Sequence, residues 1–197
     1  MKRSIVVIII LTVACLQGCI VKSVHPFYKE SDVVYQKDLE GSWVDQDKNG
    51  WQIHKNPYKS NSYELHYSKN GREISLLGHL FKLNDNLYID LIPTEDNSED
   101  IPVFDLHIVP THSIARVATL NDHQVSIKWF NEEWLRKMFV ENRIKISHEL
   151  VMDENPQSPD DGFYLLTAST DELQKFVSKY GDDPQAYDDD LKLQLTK

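Results

Sequence analysis

From residue 41 onward the chain alternates between apolar and polar positions. Tyr63, Leu65 and Tyr67 alternate with Glu64, His66 and Ser68. Leu87, Ile89 and Leu91 do so with Tyr88, Asp90 and Ile92, and Phe104, Leu106 and Ile108 with Asp105, His107 and Val109. Val125, Ile127 and Trp129 repeat the pattern against Ser126, Lys128 and Phe130. A period of two predicts half-buried β-strands. Between them lie Asn49-Gly50, Asn70-Gly71, Asn84-Asp85, Pro110-Thr111 and Asn121-Asp122. These residue types favour tight turns, so the pattern predicts meandering hairpins. Residues 73–83 are longer and apolar on both faces, which predicts a central strand, with Leu77, Phe81 and Leu83 available to fill an interior. Residues 146–152 and 163–167 predict two late strands.

Two stretches carry a helical period instead. Over 132–143, Trp134, Leu135, Met138 and Phe139 form one apolar stripe. Asn131 can cap this helix, and Glu132 and Glu133 suit the positive end of its dipole. Over 170–180, Leu173, Phe176, Val177 and Tyr180 share a face. Ser169 and Glu172 have capping-box spacing, and Gly181 predicts the stop. Both stripes are the kind that covers a core. The acidic, turn-rich stretches 94–100, 153–161 and 182–190 predict solvated loops and a frayed tail.

About eight strands with one apolar face leave unpaired edges unless the sheet closes or is covered. The expected fold is therefore mainly β: an antiparallel barrel or strongly curved sheet with two accessory helices. Gly41-Ser42-Trp43 resembles the Gly-x-Trp opening of lipocalin-like (calycin-type) barrels. That resemblance implies a barrel base formed by Gly41 and Trp43 against a late arginine, Arg116 or Arg143. The wider layout resembles a group of uncharacterised bacterial lipoproteins. The residues that carry it are His25-Pro26-Phe27-Tyr28, Gly41-Ser42-Trp43, 106–112 and 166–173. It brings no known activity with it.

The first residues have the layout of a secretory signal peptide: Lys2 and Arg3, an apolar run over 5–14, then small residues and a cysteine. The run is shorter than the roughly 20 residues a membrane-spanning helix needs. Leu16, Gly18 and Cys19 resemble a bacterial lipobox, although Gln17 departs from the usual small or β-branched residue. The resemblance implies cleavage before Cys19, a diacylglycerol on its thiol and a fatty acid such as palmitate on its new amine. Two or more acyl chains anchor a protein stably where one does so only marginally. Cys15 as the modified residue, or an uncleaved helix over 4–21, are the competing readings. Ile20 in place of an aspartate implies the outer membrane in a cell that has two. The expected organisation is a lipoprotein signal peptide over 1–18, a lipidated tether over 19–38, a single β-rich domain over 39–181 and an acidic tail over 182–197. Phe27, Tyr28, Val33, Val34 and Tyr35 give the tether a face that can pack on the domain.

Composition narrows the partners. The chain has 31 acidic residues against 21 Lys and Arg, and processing at Cys19 removes two of the basic residues and no acid. That balance opposes binding to nucleic acid or to a bare anionic membrane. After processing Cys19 is the only cysteine, and the lipid occupies it. Disulfides, thiol catalysis and cysteine metal sites are thereby excluded.

Candidate chemistry is sparse. Residues 45–50 match the first half of a calcium loop, but Asn56 stands where the bidentate glutamate belongs, and Asn49-Gly50 suits a hairpin turn. The best polar cluster is His107, His112 and Arg116, the two histidines on either side of Pro110, with Asp90 or Asp105 as a carboxylate partner. Two histidines at this spacing match no standard metal motif. Hydrogen-bonded strand histidines are the simpler reading, also for His54, His66 and His79. Ser113 and Ser147 each adjoin a histidine, but adjacent strand residues point to opposite faces. No metal or cofactor is expected.

The sequence thus predicts a non-enzymatic, lipid-anchored cell-envelope protein that binds a small apolar or amphipathic ligand in its barrel. An envelope protein-interaction module with a filled barrel is the second reading. A metal-assisted hydrolase using His107 and His112 is the third. Its partners would be the membrane, through the N-terminal lipid, and the ligand or an envelope protein.

Overall fold

The protein was analysed as a computed structural model, which describes residues 20–94, 109–152 and 162–196. Eight strands close an antiparallel barrel. In chain order they are β2 (Gly41–Val44), β3 (Gly50–Lys55), β4 (Tyr63–Lys69), β5 (Arg72–Leu83), β6 (Asn86–Pro93), β7 (His112–Asn121), β8 (Gln124–Trp129) and β11 (Leu191–Leu195). Consecutive strands pair from β2 to β8. β11 then enters between β8 and β2 and completes the ring. The residues expected as an acidic tail therefore supply the closing strand. Leu193, fully buried, is the inward anchor of β11, and alternation over only Leu191, Leu193 and Leu195 is a short signal beside a run of aspartates.

The turns follow the chemistry of their residues. Asn70 (φ 52) and Gly71 (φ 75) take the left-handed conformations that a two-residue hairpin requires. Asn84 does the same between β5 and β6.

A three-strand flap adds to one edge of β7. β1 (Lys22–Ser23) pairs antiparallel to the start of β7 and parallel to β10 (Gly162–Leu166), which pairs with β9 (His148–Met152). Two helices cover the outer wall: α1 (Glu132–Val140) and α2 (Thr170–Tyr180). Asn131 caps α1 by accepting from the Trp134 amide at 2.7 Å. At α2, Glu172 accepts from the amide and hydroxyl of Ser169. Gly181 ends α2 with ordinary right-handed dihedrals (φ −65). Its glycine is required by space, because a Cβ would stand 2.2 Å from the Tyr88 hydroxyl.

Alternation along the strands sorts the apolar residues into two cores. Inside the barrel lie Leu39, Trp43, Trp51, Ile53, Tyr63, Leu65, Leu80, Ile89, Leu91, Ala115, Val117, Val125, Ile127 and Leu193. Between the outer wall and the helices lie Phe27, Phe81, Tyr88, Ile114, Phe130, Trp134, Leu173 and Phe176, among others. On β5 the interior is filled by Leu76 and Leu80. Phe81 and Leu83, expected inside, belong to the outer core. Both faces of β5 are apolar because the helices make the outer face a second interior.

The segment before β2 packs tightly. Val21, Ser23 and Phe27 are fully buried. The Val34 amide donates to Leu80, Thr170 Oγ1 donates to the Pro26 carbonyl at 2.8 Å, and Gln174 Nε2 donates to Asp32 at 2.7 Å. From Ile20 on, the expected tether is part of the fold.

Candidate functional site

At one end of the barrel, a 3-10 turn (Lys37–Leu39) carries the buried Leu39 side chain inside. The Trp43 indole donates to the Leu39 carbonyl at 3.1 Å. Gly41, at φ +150, brings the chain within reach of its neighbours. A Cβ there would meet Leu195 Cδ1 at 2.8 Å and the Trp43 ring nitrogen at 3.3 Å. Gly41 and Trp43 lie together at this end, with the Leu39 carbonyl as the partner of the indole.

Arg116 is elsewhere. Its neighbours Ala115 and Val117 point inward, so Arg116 stands on the outer face opposite Tyr88. Its guanidinium donates to the Gly181 carbonyl at 2.9 Å and to Asn86, and lies 3.4 Å from Asp182. Strand parity separates it from Trp43, which corrects its expected place at the base. Arg143, the other candidate, pairs with Glu141 at 3.4 Å.

Arg116 lines a cleft of about 660 Å³, together with Lys128, Tyr187 and Asp188, Asp189 and Asp190. Lys128 pairs with Asp190 at 2.9 Å, and Ser126 donates to the same carboxylate. These contacts hold the Asp190 carboxyl below its usual range. Burial raises Asp188 and drives the Tyr187 hydroxyl well up. The cleft is polar, and its cations already have acidic partners.

The polar residues of the central outer wall form a more enclosed cluster. Asp90, fully buried, accepts from the Phe27 amide at 2.9 Å and from His112 Nδ1 at 2.7 Å. One carboxylate therefore fixes both the entering segment and the imidazole. His79 stands directly opposite Asp90 on β5 and is 1% exposed. Tyr28 stacks on its ring at 4.3 Å, and the Tyr28 hydroxyl lies 3.4 Å from Nε2. Among the described residues, nothing hydrogen-bonds to the buried His79 Nδ1. Burial, then Lys59 and His112, lower its pKa to about 4, so this imidazole is neutral at pH 7. Burial and the nearby Asp90 and Glu30 push Tyr28 up to about 12.

The structure brings together His112 and Asp90 of the expected polar cluster. His107 and Asp105 lie outside the described residues, as does Cys19. The sequence gives His79 as a hydrogen-bonded strand histidine and Tyr28 as a residue of the tether, and does not join the two. The signal available was His79 in an apolar stretch, HisLeuPhe, where a polar residue needs a partner. The carboxylate-oriented His112 has the form of a general-base dyad, but the two nearest serines are committed to main-chain carbonyls. Ser113 donates to Leu91 and Ser23 to Leu166, each at 3.3 Å. Among the described residues, no three His, Cys, Asp or Glu are placed to hold a metal. In the 45–50 turn, Asp45 accepts from the Asp47 and Asn49 amides and the Asn49 side chain. Its oxygens organise a hairpin.

No known protein family, curated protein or solved structure matches the chain. Among the described residues, no helix is long and apolar enough to cross a membrane.

Proposed function

We propose that this is a cell-envelope lipoprotein, acylated at Cys19, that acts without enzymatic activity as a protein-interaction module built on a filled barrel. The observation that carries the reading is the barrel interior. Trp43, Trp51 and Tyr63 are at most 7% exposed, and Ile53, Leu65, Leu80, Ile89 and Leu91 at most 2%. A barrel that carries a ligand reserves its interior for it. Here aromatic and branched side chains occupy that space, and a turn with Leu39 closes one end. The filled interior favours the interaction module over a carrier of an apolar ligand. The lipobox resemblance over 16–19 supports the anchor.

Native mass spectrometry of the full-length protein, released gently from the envelope, tests both parts. The expected species is the acylated chain without a small ligand, together with crosslinked envelope protein. Cys19→Ser is expected to leave an uncleaved, unacylated precursor. A stoichiometric lipid-sized ligand would return the barrel to the carrier reading. Unchanged processing of Cys19→Ser would remove the lipoprotein reading.

A further inference from the structure

The hairpin between β3 and β4 is longer than the connection requires. β4 joins β5 through Asn70 and Gly71, and β5 joins β6 through Asn84 and Asp85. Two residues suffice for such a turn. Between Lys55 and Tyr63, by contrast, stand residues 56–62. Side chains within this loop fix its shape. Asn56 Oδ1 accepts from the amides of Tyr58 at 2.8 Å and Lys59 at 2.9 Å. Ser62, fully buried, donates from Oγ to the Lys59 carbonyl at 2.8 Å. The Asn56 amide donates to the Ser62 carbonyl at 2.9 Å and closes the neck. Pro57 locks its own φ, and Lys59 Nζ lies 3.5 Å from the Tyr28 hydroxyl of the entering segment.

This frame displays Tyr58, which is 97% exposed. The other eight tyrosines are buried or half-buried. A lone apolar residue on a surface is ordinary, but a ring held out on an ordered loop is different. Much of the entropy that contact would cost is already lost in the free protein. Tyrosine is enriched where interfaces concentrate their energy, and Tyr, Ser and Asn together are what antibody loops use for contact. The loop also has its own charge. From His54 to Ser62 the chain carries Lys55 and Lys59 and no acid, in a protein of net charge −10. Both lysines are exposed. Glu40, beside Lys55, is engaged by the Tyr35 hydroxyl and the Lys55 amide. Ile53 pairs with Gly41, so the loop rises from the barrel end that Leu39 closes.

We propose that loop 56–62 is the docking element of the interaction module. The Tyr58 ring enters an apolar pocket of a partner protein, and Lys55 and Lys59 meet carboxylates on its rim. The proposal rests on the interaction-module reading and gives the partner its chemistry, an acidic envelope protein. Opposite charge at the rim speeds encounter, and the enclosed ring slows departure.

The test uses the full-length lipidated protein in intact cells. The photocrosslinker p-benzoylphenylalanine is placed at Ser60, which leaves Tyr58 in position, or at Lys69. Lys69 is exposed at the far end of β4, about 20 Å away along that strand. Position 60 is expected to give one discrete protein adduct, joined at a segment rich in Asp and Glu, and position 69 none. Tyr58→Ala is expected to lower that adduct about tenfold, the loss of a central anchor, and Tyr58→Phe to keep most of it. Lys55→Gln with Lys59→Gln is expected to lower it several-fold. The urea midpoint should be unchanged in all of these, since the altered side chains are exposed. An adduct from 69 and not from 60 overturns the inference and leaves the proposed function standing. An adduct from 60 that ignores both Tyr58→Ala and the lysine pair also overturns it, as does one joined to a glycan or to a second copy of this chain. No adduct at either position overturns it too. If general crosslinking then finds no envelope partner either, the proposed function falls with it.

Discussion

The two apolar cores differ in what they tolerate. The barrel interior is built from aliphatic and aromatic side chains, and its indole and phenol polar atoms reach the chain at the rim. Trp43 donates to Leu39, and Tyr63 donates to the Gln36 carbonyl. The outer core buries charged or titratable groups: Asp90, His79 and Glu132 are each at most 2% exposed. Glu132 Oε1 accepts from the Tyr164 amide at 3.1 Å, joining α1 to the flap, while Oε2 has no hydrogen-bond partner among the described residues. An apolar interior needs only volume and shape. A core between wall, helices and entering segment must also fix register among pieces distant in sequence, and hydrogen-bonded polar groups can do that. The inside is scaffold, and the outside carries the positional information.

The largest expected effect tests the scaffold. Trp43→Ala and Leu80→Ala are each expected to cost about 2–5 kcal/mol, the range for truncating a large side chain in a close-packed core. Urea unfolding monitored by the remaining tryptophans measures this. Losses below about 1 kcal/mol at both sites would mean a loosely filled interior and would erase the contrast.

Next comes the buried imidazole. The His79 pKa is about 4 in the folded protein, against an ordinary value of about 6.5. The unfolded chain takes up the proton first as pH falls. The contribution of neutral His79 is therefore present above pH 6.5 and lost progressively toward pH 4, by up to about 3 kcal/mol. His79→Phe keeps a ring under Tyr28 and removes the titration. It is expected to flatten the acid limb of the stability curve between those values. An acid limb identical to that of the parent protein would show that His79 titrates normally and that the outer core is as indifferent to charge as the inner one.

Much of the barrel was legible because a two-residue period survives wherever one face is wet. β4 follows its alternating pattern; β6, though covered on both faces, keeps its alternation because Tyr88 and Asp90 put polar atoms on the outer one, and α2 matches its predicted bounds. The errors arise where that condition fails. β5 is covered on both faces, so its alternation carries no sense of inside, and Phe81 was read for the wrong core. β11 is short and follows Asp188, Asp189 and Asp190, so charge hid its alternation. α1 stops at Val140 rather than Arg143, since Asn142 adopts a left-handed conformation (φ 54) that ends the turn. Parity explains the site as well. The closeness of Gly41 and Trp43 is local and readable, whereas Arg116 depends on which face of β7 it occupies. Asp90, in the middle of β6, meets His112 at the start of β7; the sequence offered Asp90 beside Asp105 and could not choose between them. The stacking of Tyr28 on His79 joins residues 51 apart, and no spacing rule reports such a contact.

The smallest expected effect separates burial from charge at His79. Burial is the larger cause of its lowered pKa and Lys59 the next. The Lys59 ammonium lies 3.5 Å from the Tyr28 hydroxyl that covers the ring. Asp90 and His112 face the same imidazole from neighbouring strands. Lys59→Gln removes one positive charge and leaves the ring buried. The folded pKa of His79 should move up toward its ordinary value, so less stability is lost on acidification. The gain at pH 4–5 is expected to be below about 1 kcal/mol, as for other exposed charges, with stability at pH 7 unchanged. NMR titration of the His79 ring protons would show the upward shift directly. A larger rescue than this would mean that charge, rather than enclosure under Tyr28, keeps the imidazole neutral, and the outer core would then be polar through its surface rather than through its packing.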